Sequence, residues 1–192
     1  MWVDSHCHLD FPDLSRRLPE ILGRMNEKGV GCAVCIGVNL EDFPDVLALA
    51  VSHPNLYAPV GVHPEYADAE DHSEEKLVEL ADHPKAIAIG ETGLDYYRLN
   101  GRSIADMQWQ RERYRVHIRA ALELDLPLVI HTRSASDDTL AILRDEGAVR
   151  GAPKARGVFH CFTETLAVAR AALDLGFLIS FSGILTFKSA QD

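Results

Sequence analysis

Five short motifs constrain this chain more than any other feature, because each stands at the end of an apolar run: His6-Cys7-His8, Gly61-Val62-His63-Pro64, Gly90-Glu91-Thr92-Gly93, His131-Thr132-Arg133 and His160-Cys161-Phe162. Imidazoles and a carboxylate this far apart in sequence can meet at one metal only if the fold aims successive strand ends at a common point. Their repeated position therefore predicts a site and an architecture together.

The runs fall at residues 2–3, 32–36, 57–62, 86–89, 128–130, 158–159 and 177–179, giving seven candidate strands. They lack polar alternation, as expected of a parallel sheet covered by helices on its outer face and filled on its inner one. Helical spacing occupies the gaps. A segment over 14–28 ends before Gly29, one over 43–51 ends before His53-Pro54, and Ser73 caps one running to residue 81, with Glu74 and Glu75 in its first turn and Leu77, Leu80 and Ala81 as its stripe. A longer helix carries Met107, Tyr114, Ile118, Ala121 and Leu122, and shorter ones cover 139–143 and 166–173. Such alternation suits an open doubly wound sheet or a closed barrel. Candidate ligands after the first, third, fourth, fifth and sixth runs favour the barrel, since a doubly wound sheet gathers its site at one switch point. The expectation is a TIM-type (β/α)8 barrel forming one domain over residues 1–192. That fold needs eight strands and typically about 250 residues. Residue 192 follows closely on the seventh run, so the eighth strand is expected to be missing.

Composition narrows the class. With 47% hydrophobic and 25% charged residues the chain can build a sizeable core. Its formal charge, 19 minus 29 or −10, excludes a broad basic surface for gripping duplex nucleic acid. A small nuclease site stays open, because two divalent cations bring their positive charge into the cleft itself. Met1-Trp2-Val3-Asp4 has no basic leader character, and the longest uncharged apolar stretch, 29–38, falls far short of a membrane span, so a cytoplasmic protein is expected. Cys32 and Cys35 have the spacing of a disulfide or zinc pair. On a buried strand, however, residues three apart point to opposite faces, and buried free thiols are the expectation.

His6 and His8, two apart, share one strand face toward a barrel interior, while Cys7 points the other way. Glu91 follows the buried run 86–89. A carboxylate there needs a cation or hydrogen bonds, and its two oxygens can bridge ions about 3.5–4 Å apart; a salt bridge to an arginine is the structural alternative. His131 and His160 end their own strands and suit a second ion, where a lone histidine would more often be a satisfied core residue. With these ligands sufficient for two ions, His63 is assigned to substrate, donating to a phosphate or carbonyl oxygen; the alternative is a turn histidine bonded to backbone. Arg98 and Arg133 are candidate oxyanion contacts. His53, His72, His83 and His117 lack this context and are read as solvated or capping.

These motifs, with Asp4-Ser5-His6-Cys7-His8-Leu9-Asp10 and Ile89-Gly90-Glu91-Thr92-Gly93-Leu94-Asp95-Tyr96 in the same order, make the chain resemble the TatD family of metal-dependent deoxyribonucleases in the amidohydrolase-like barrel superfamily. The resemblance implies His6, His8 and Glu91 on one ion and Glu91, His131 and His160 on another. It also implies a late aspartate, in a Glu-Thr-Asp motif ending the eighth strand, which contacts metal and moves a proton; no such motif occurs before Asp192. The expected activity is hydrolysis of DNA phosphodiesters, from a single-stranded or free end, by two divalent cations, with Glu91 at the catalytic centre. A metal-dependent amidohydrolase or esterase acting on a small acyl substrate is the alternative within enzymes, and a noncatalytic metal-binding barrel the alternative outside them. Zinc, magnesium, manganese and iron all remain compatible with the donors.

Overall fold

The computed structural model describes residues 1–67, 73–150, 155–188 and 190. His72, read above as solvated, lies outside the described residues. The described residues form seven strands: β1 (Trp2–Cys7), β2 (Val30–Cys35), β3 (Leu56–Val60), β4 (Ala86–Asp95), β5 (Leu128–Arg133), β6 (Gly157–Phe159) and β7 (Leu178–Ile179). All pair in parallel, in the order β1-β2-β3-β4-β5-β6-β7. Strand order equal to chain order decides the architecture. A doubly wound sheet must reverse direction at a switch point, whereas steady progression around one axis curls the sheet into a barrel wall. The curl brings the first and last strands near each other, with Ser5 Oγ 3.3 Å from Ser180 Oγ.

Helices α1 (Pro12–Ser15), α2 (Leu18–Glu27), α3 (Phe43–Ser52), α4 (Glu74–Ala81), α5 (Gln108–Leu124), α6 (Ser136–Arg150) and α7 (Leu166–Asp174) fill the crossovers. The single helix expected over 14–28 is two, because Pro19 has no N–H to continue a ladder from α1 and instead sits in the first turn of α2. Ser73 caps α4 as expected, accepting from Lys76 N at 3.3 Å. Helix α6 extends well beyond the expected 139–143; its added turns carry Asp137 and Asp138 at the N-terminus and polar residues later, so the apolar spacing registered only its middle.

The main core lies between sheet and helices, where Leu56, Ile89, Ile130 and Phe159 of the strands meet Leu77, Tyr114, Ile118 and Leu140 of the helices. A smaller cluster, Ile36, Ala88 and Val129 with Val34 and Val158 packed against it, fills the concave side. Its membership explains the site above it. With a side-chain period of two, His131 follows Val129 and His160 follows Val158 on the inward face. Cys32 and Cys35 do not pair with each other: all four cysteines are free thiols, Cys35 fully buried and Cys32 partly exposed. Cys35 instead lies beside its register partner on β1, with Cys7 Sγ 3.9 Å away.

Candidate metal centre

Strand β4 runs six residues past the apolar stretch that predicted it, to Asp95, because its continuation is glycines and buried polar groups interrupted by a single buried aliphatic, Leu94. Between Gly90 and Thr92 it advances two residues while β5 advances one, from Val129 to Ile130. Glu91 is the extra residue. This bulge aims it at the concave side, where strict alternation from Ala88 would have presented Gly90 and turned Glu91 away. Gly90 is required at the bulge: its φ is +146°, and a Cβ there would stand 2.6 Å from Val129 O.

Glu91 is 2% exposed and faces four imidazoles from four strand ends. His160 Nε2 lies 2.6 Å, His131 Nδ1 3.2 Å and His63 Nε2 3.4 Å from Oε1, and His6 Nε2 lies 3.3 Å from Oε2. His8 joins the group against His6, their ring centroids 5.1 Å apart, and His6 stacks on His160 at 3.9 Å. Burial favours the neutral acid at Glu91, yet hydrogen bonds from His131, His160 and His63 hold its carboxyl well below the usual carboxylate range. Burial likewise drives the His6 pKa down to about 3, against the pull of Glu91, so its ring stays neutral. At His131 burial acts in the same direction but loses: the carboxylates of Asp95 and Glu91 raise its pKa to about 9.

The remaining ring nitrogens separate the histidines by role. His8 Nδ1 lies 3.0 Å from Ile36 O, and a carbonyl only accepts, so Nδ1 carries the proton and Nε2 offers its lone pair to the cluster. His131 Nε2 donates to Asp95 Oδ2 at 3.0 Å, which leaves Nδ1 facing Glu91 as a candidate ligand atom once its proton is displaced. A carboxylate behind a ligating histidine fixes the tautomer and raises basicity. His63 is wired in the opposite sense. Its Nδ1 accepts the Glu65 N–H at 3.2 Å, so Nε2 is the protonated nitrogen, a donor aimed into the cluster. The turn hydrogen bond offered above as the alternative to a substrate role is present, and it is what presents Nε2–H to the site.

Among the described residues two donor sets have their ligand atoms within 4.8 Å of one another: His6, His8 and Glu91, as expected, and His63, Glu91 and His131, in which His63, its Nε2 carrying a proton in this wiring, stands where His160 was expected. His160 Nε2 approaches the Glu91 carboxylate, at 2.6 Å from Oε1, but belongs to neither set. Imidazoles converging on a buried carboxylate suit a divalent cation, and His6 Nδ1 is a buried polar atom without a hydrogen-bond partner. The residues therefore fit the metal that the motifs predict.

Asp95 belongs to this site although its position in the Gly-Leu-Asp segment marks it only weakly. It is 2% exposed, and its Oδ1 accepts from Tyr97 N at 2.9 Å. Helix α5 supplies two more unanticipated groups. Gln110 Oε1 accepts from Asp95 N at 3.0 Å while its Nε2 donates to Pro64 O at 2.8 Å, tying the β3 and β4 ends together. His117, read from sequence as solvated or capping, is 2% exposed. Its Nε2 accepts from Val62 N at 3.1 Å, which sets the backbone entering His63, and its Nδ1 lies 2.8 Å from Arg113 O. Helical periodicity cannot show that a polar residue on a buried face reaches a strand end. Of the other candidates, Arg133 packs over the exposed Tyr97 ring at 3.8 Å, and Arg98 lines a cavity next to Asp95.

The model of TatD-related DNases matches residues 3–192. The chain belongs to the TatD family. An uncharacterised metal-dependent hydrolase of Escherichia coli K12, YcfH, is 38% identical over 98% of this chain and 69% of its own length. A Mycobacterium tuberculosis protein named TatD, likewise described as an uncharacterised metal-dependent hydrolase, is 38% identical over 99% of this chain and 72% of its own. Among solved structures, the TatD homologue YjjV of E. coli superposes with a TM-score of 0.82 at 29% identity, covering 98% of this chain and 71% of that one. A TatD family hydrolase of Entamoeba histolytica, at 23% identity and a TM-score of 0.76, shares the fold.

Proposed function

We propose that this TatD-family chain is a divalent-metal-dependent hydrolase that cleaves phosphodiester bonds of DNA. His6, His8 and Glu91 would hold one cation and Glu91, His131 and His160 a second. The observation that carries the reading is the buried Glu91 carboxylate, reached through both oxygens by imidazoles from separate strand ends. Such ions, when bound, supply charge neutralisation at a phosphate and acidify a water molecule.

The chain's own groups do the rest. Asp95 holds the His131 tautomer, so that the lone pair of Nδ1 faces the centre. Ile36 O does the same for His8. His63, with Nδ1 occupied, directs Nε2–H at a non-bridging phosphate oxygen, a charge-assisted bond that strengthens as negative charge builds there. Substrate would reach the centre as a single strand or a free end, since an acidic molecule of net charge −10 repels an extended duplex. We assign the chain to one domain, because all seven strands share one sheet, and to the cytoplasm, where four free thiols are at home. Among the described residues no helix is long and apolar enough to cross a membrane.

The test combines metal analysis with hydrolysis of labelled single-stranded DNA and a panel of acyl amides. His131→Ala combined with His160→Ala should release one equivalent of bound divalent metal, whereas His63→Ala should keep its metal and lose about 10²-fold or more in turnover. Hydrolysis of amides without hydrolysis of DNA would replace this reading with the amidohydrolase one. Unchanged metal content in the double variant would refute the ligand assignment.

A further inference from the structure

Beside the metal centre, at the ends of β3 and β4, lies a cavity of about 460 Å³ whose wall includes Pro64, Tyr66, Asp95, Arg98, Arg102 and Trp109. It is joined to the centre through two of its lining residues: Pro64 follows His63 in the chain, and Asp95 is hydrogen-bonded to His131. Gln110, bonded to both strand ends, braces its floor.

We propose that this cavity binds the nucleotide adjoining the scissile phosphate, with the base against Trp109 and Tyr66 and its own phosphate held by Arg98 and Arg102. This rests on the phosphodiesterase reading above and names the part of the substrate that the metal donors do not touch. The volume suits one nucleotide rather than a duplex. The two rings are differently prepared: Tyr66 is an exposed platform, and the half-buried Trp109 is held by Arg113, whose Cζ lies 5.0 Å from the indole centroid and whose Nη1 donates to Tyr66 O at 2.7 Å. Flat faces of this kind accept any base.

The charges are arranged for a phosphate. Two carboxylates share the wall with the arginines, but Asp95 is spent on His131 and on the Tyr97 and Arg98 backbone N–H groups. Glu65 meets Arg98 only in a loose exposed pair, Nε to Oε1 3.6 Å, of the kind that contributes little and is readily exchanged. Arg102 stands 6.0 Å from the Trp109 centroid, at the outer reach of a cation–π contact, and is exposed. Both guanidiniums can therefore turn to a phosphate, which their planar forks match in two-point geometry. An acyl substrate would need neither arginine nor ring. On an acidic chain such a pocket confines phosphate recognition to the side of the metal centre where it is useful.

The experiment uses fluorescein-labelled pentathymidylate and bis-p-nitrophenyl phosphate, a diester with no adjoining nucleotide. By fluorescence anisotropy, Arg98→Ala with Arg102→Ala should weaken pentathymidylate binding at least tenfold and flatten the log–log salt dependence by about 0.7, for the one single-strand phosphate that both arginines hold. Trp109→Leu should weaken it about tenfold with the salt slope unchanged. In the metal-loaded enzyme, kcat/KM should fall at least tenfold more on pentathymidylate than on the small diester for each variant, while Lys76→Ala on α4 leaves the ratio alone. Wild-type binding that these changes do not alter, no binding by the wild type, or equal losses on both substrates would overturn the proposal. If the wild type hydrolyses neither substrate, the phosphodiesterase reading fails, and the binding and salt-slope results still decide whether the cavity takes a nucleotide.

Discussion

Asp95 and His131 show how a single contact behind the metal donors carries three consequences. The pair keeps Nδ1 turned toward Glu91, raises the His131 pKa to about 9, and would couple the uptake of a metal there to pH. In metal-free protein the folded pKa lies above the ordinary histidine value of about 6.5. The stabilisation is therefore fully present below that pH and is lost as pH rises through the folded value of about 9. The melting temperature of chelator-treated protein should accordingly fall between about pH 6.5 and 9, and Asp95→Asn should flatten that decline. Titration of the His131 ring by NMR in the same variant should return its pKa toward the ordinary value. Because a cation must displace that proton, metal affinity measured by competition with a chelator should rise over the same interval, and proton release on binding should be smaller in Asp95→Asn. A melting curve unchanged with pH in the metal-free wild type would remove the coupling.

Among elements, β4 does the most, since it supplies Glu91 through its bulge and Asp95 at its end. Gly93 makes the continuation possible: its φ is +136° and a Cβ would overlap the His131 carbonyl oxygen. Gly93→Ala should therefore destabilise the fold by about 1–3 kcal/mol, as backbone strain does, and should also reduce metal content, because the overlap displaces His131 itself. Thermal melts paired with metal analysis check both. A second element-level joint sits on the outer layer, where Glu146 of α6 accepts from Arg119 Nε at 2.8 Å and from Arg115 Nη1 at 3.0 Å, both on α5. Burial works against the Glu146 carboxylate, but the two arginines lower its pKa. That contribution is present above the ordinary carboxylate value and disappears as pH falls through the depressed one. Glu146→Gln should cost about 1–3 kcal/mol in urea unfolding at neutral pH, and less in acid, with metal content unchanged. Strand positions were readable in the sequence because both-face burial writes itself as an unbroken apolar run, as at 86–89 and 128–130. Their continuations were not, since β4 and β5 proceed into polar residues whose burial depends on one another.

For the whole molecule, the two sheet edges are the exposed feature. Trp2 and Val3 on β1 and Leu178 with Phe181 around β7 are exposed, and an opening of about 540 Å³ between the edges reaches His6 and His160. Exposed apolar side chains grouped on one face mark a contact surface. Trp2→Glu with Phe181→Glu should therefore lower the fluorescence of a bound apolar dye while leaving the melting temperature within a few degrees. A wild type that binds no such dye would contradict this.

The primary structure by itself determined the barrel-type alternation and the candidate donors, because hydrophobic periodicity and the chemistry of His6, His8, Glu91, His131 and His160 are local properties. Only the tertiary structure decided the wiring: the bulge that turns Glu91 inward, the Glu65 N–H that makes His63 a donor, the Asp95 carboxylate behind His131, and the burial of Gln110 and His117 against the strand ends. Those are relations between groups brought together by the curl of the sheet, and a tautomer or a pKa exists only once the partner that sets it is within reach.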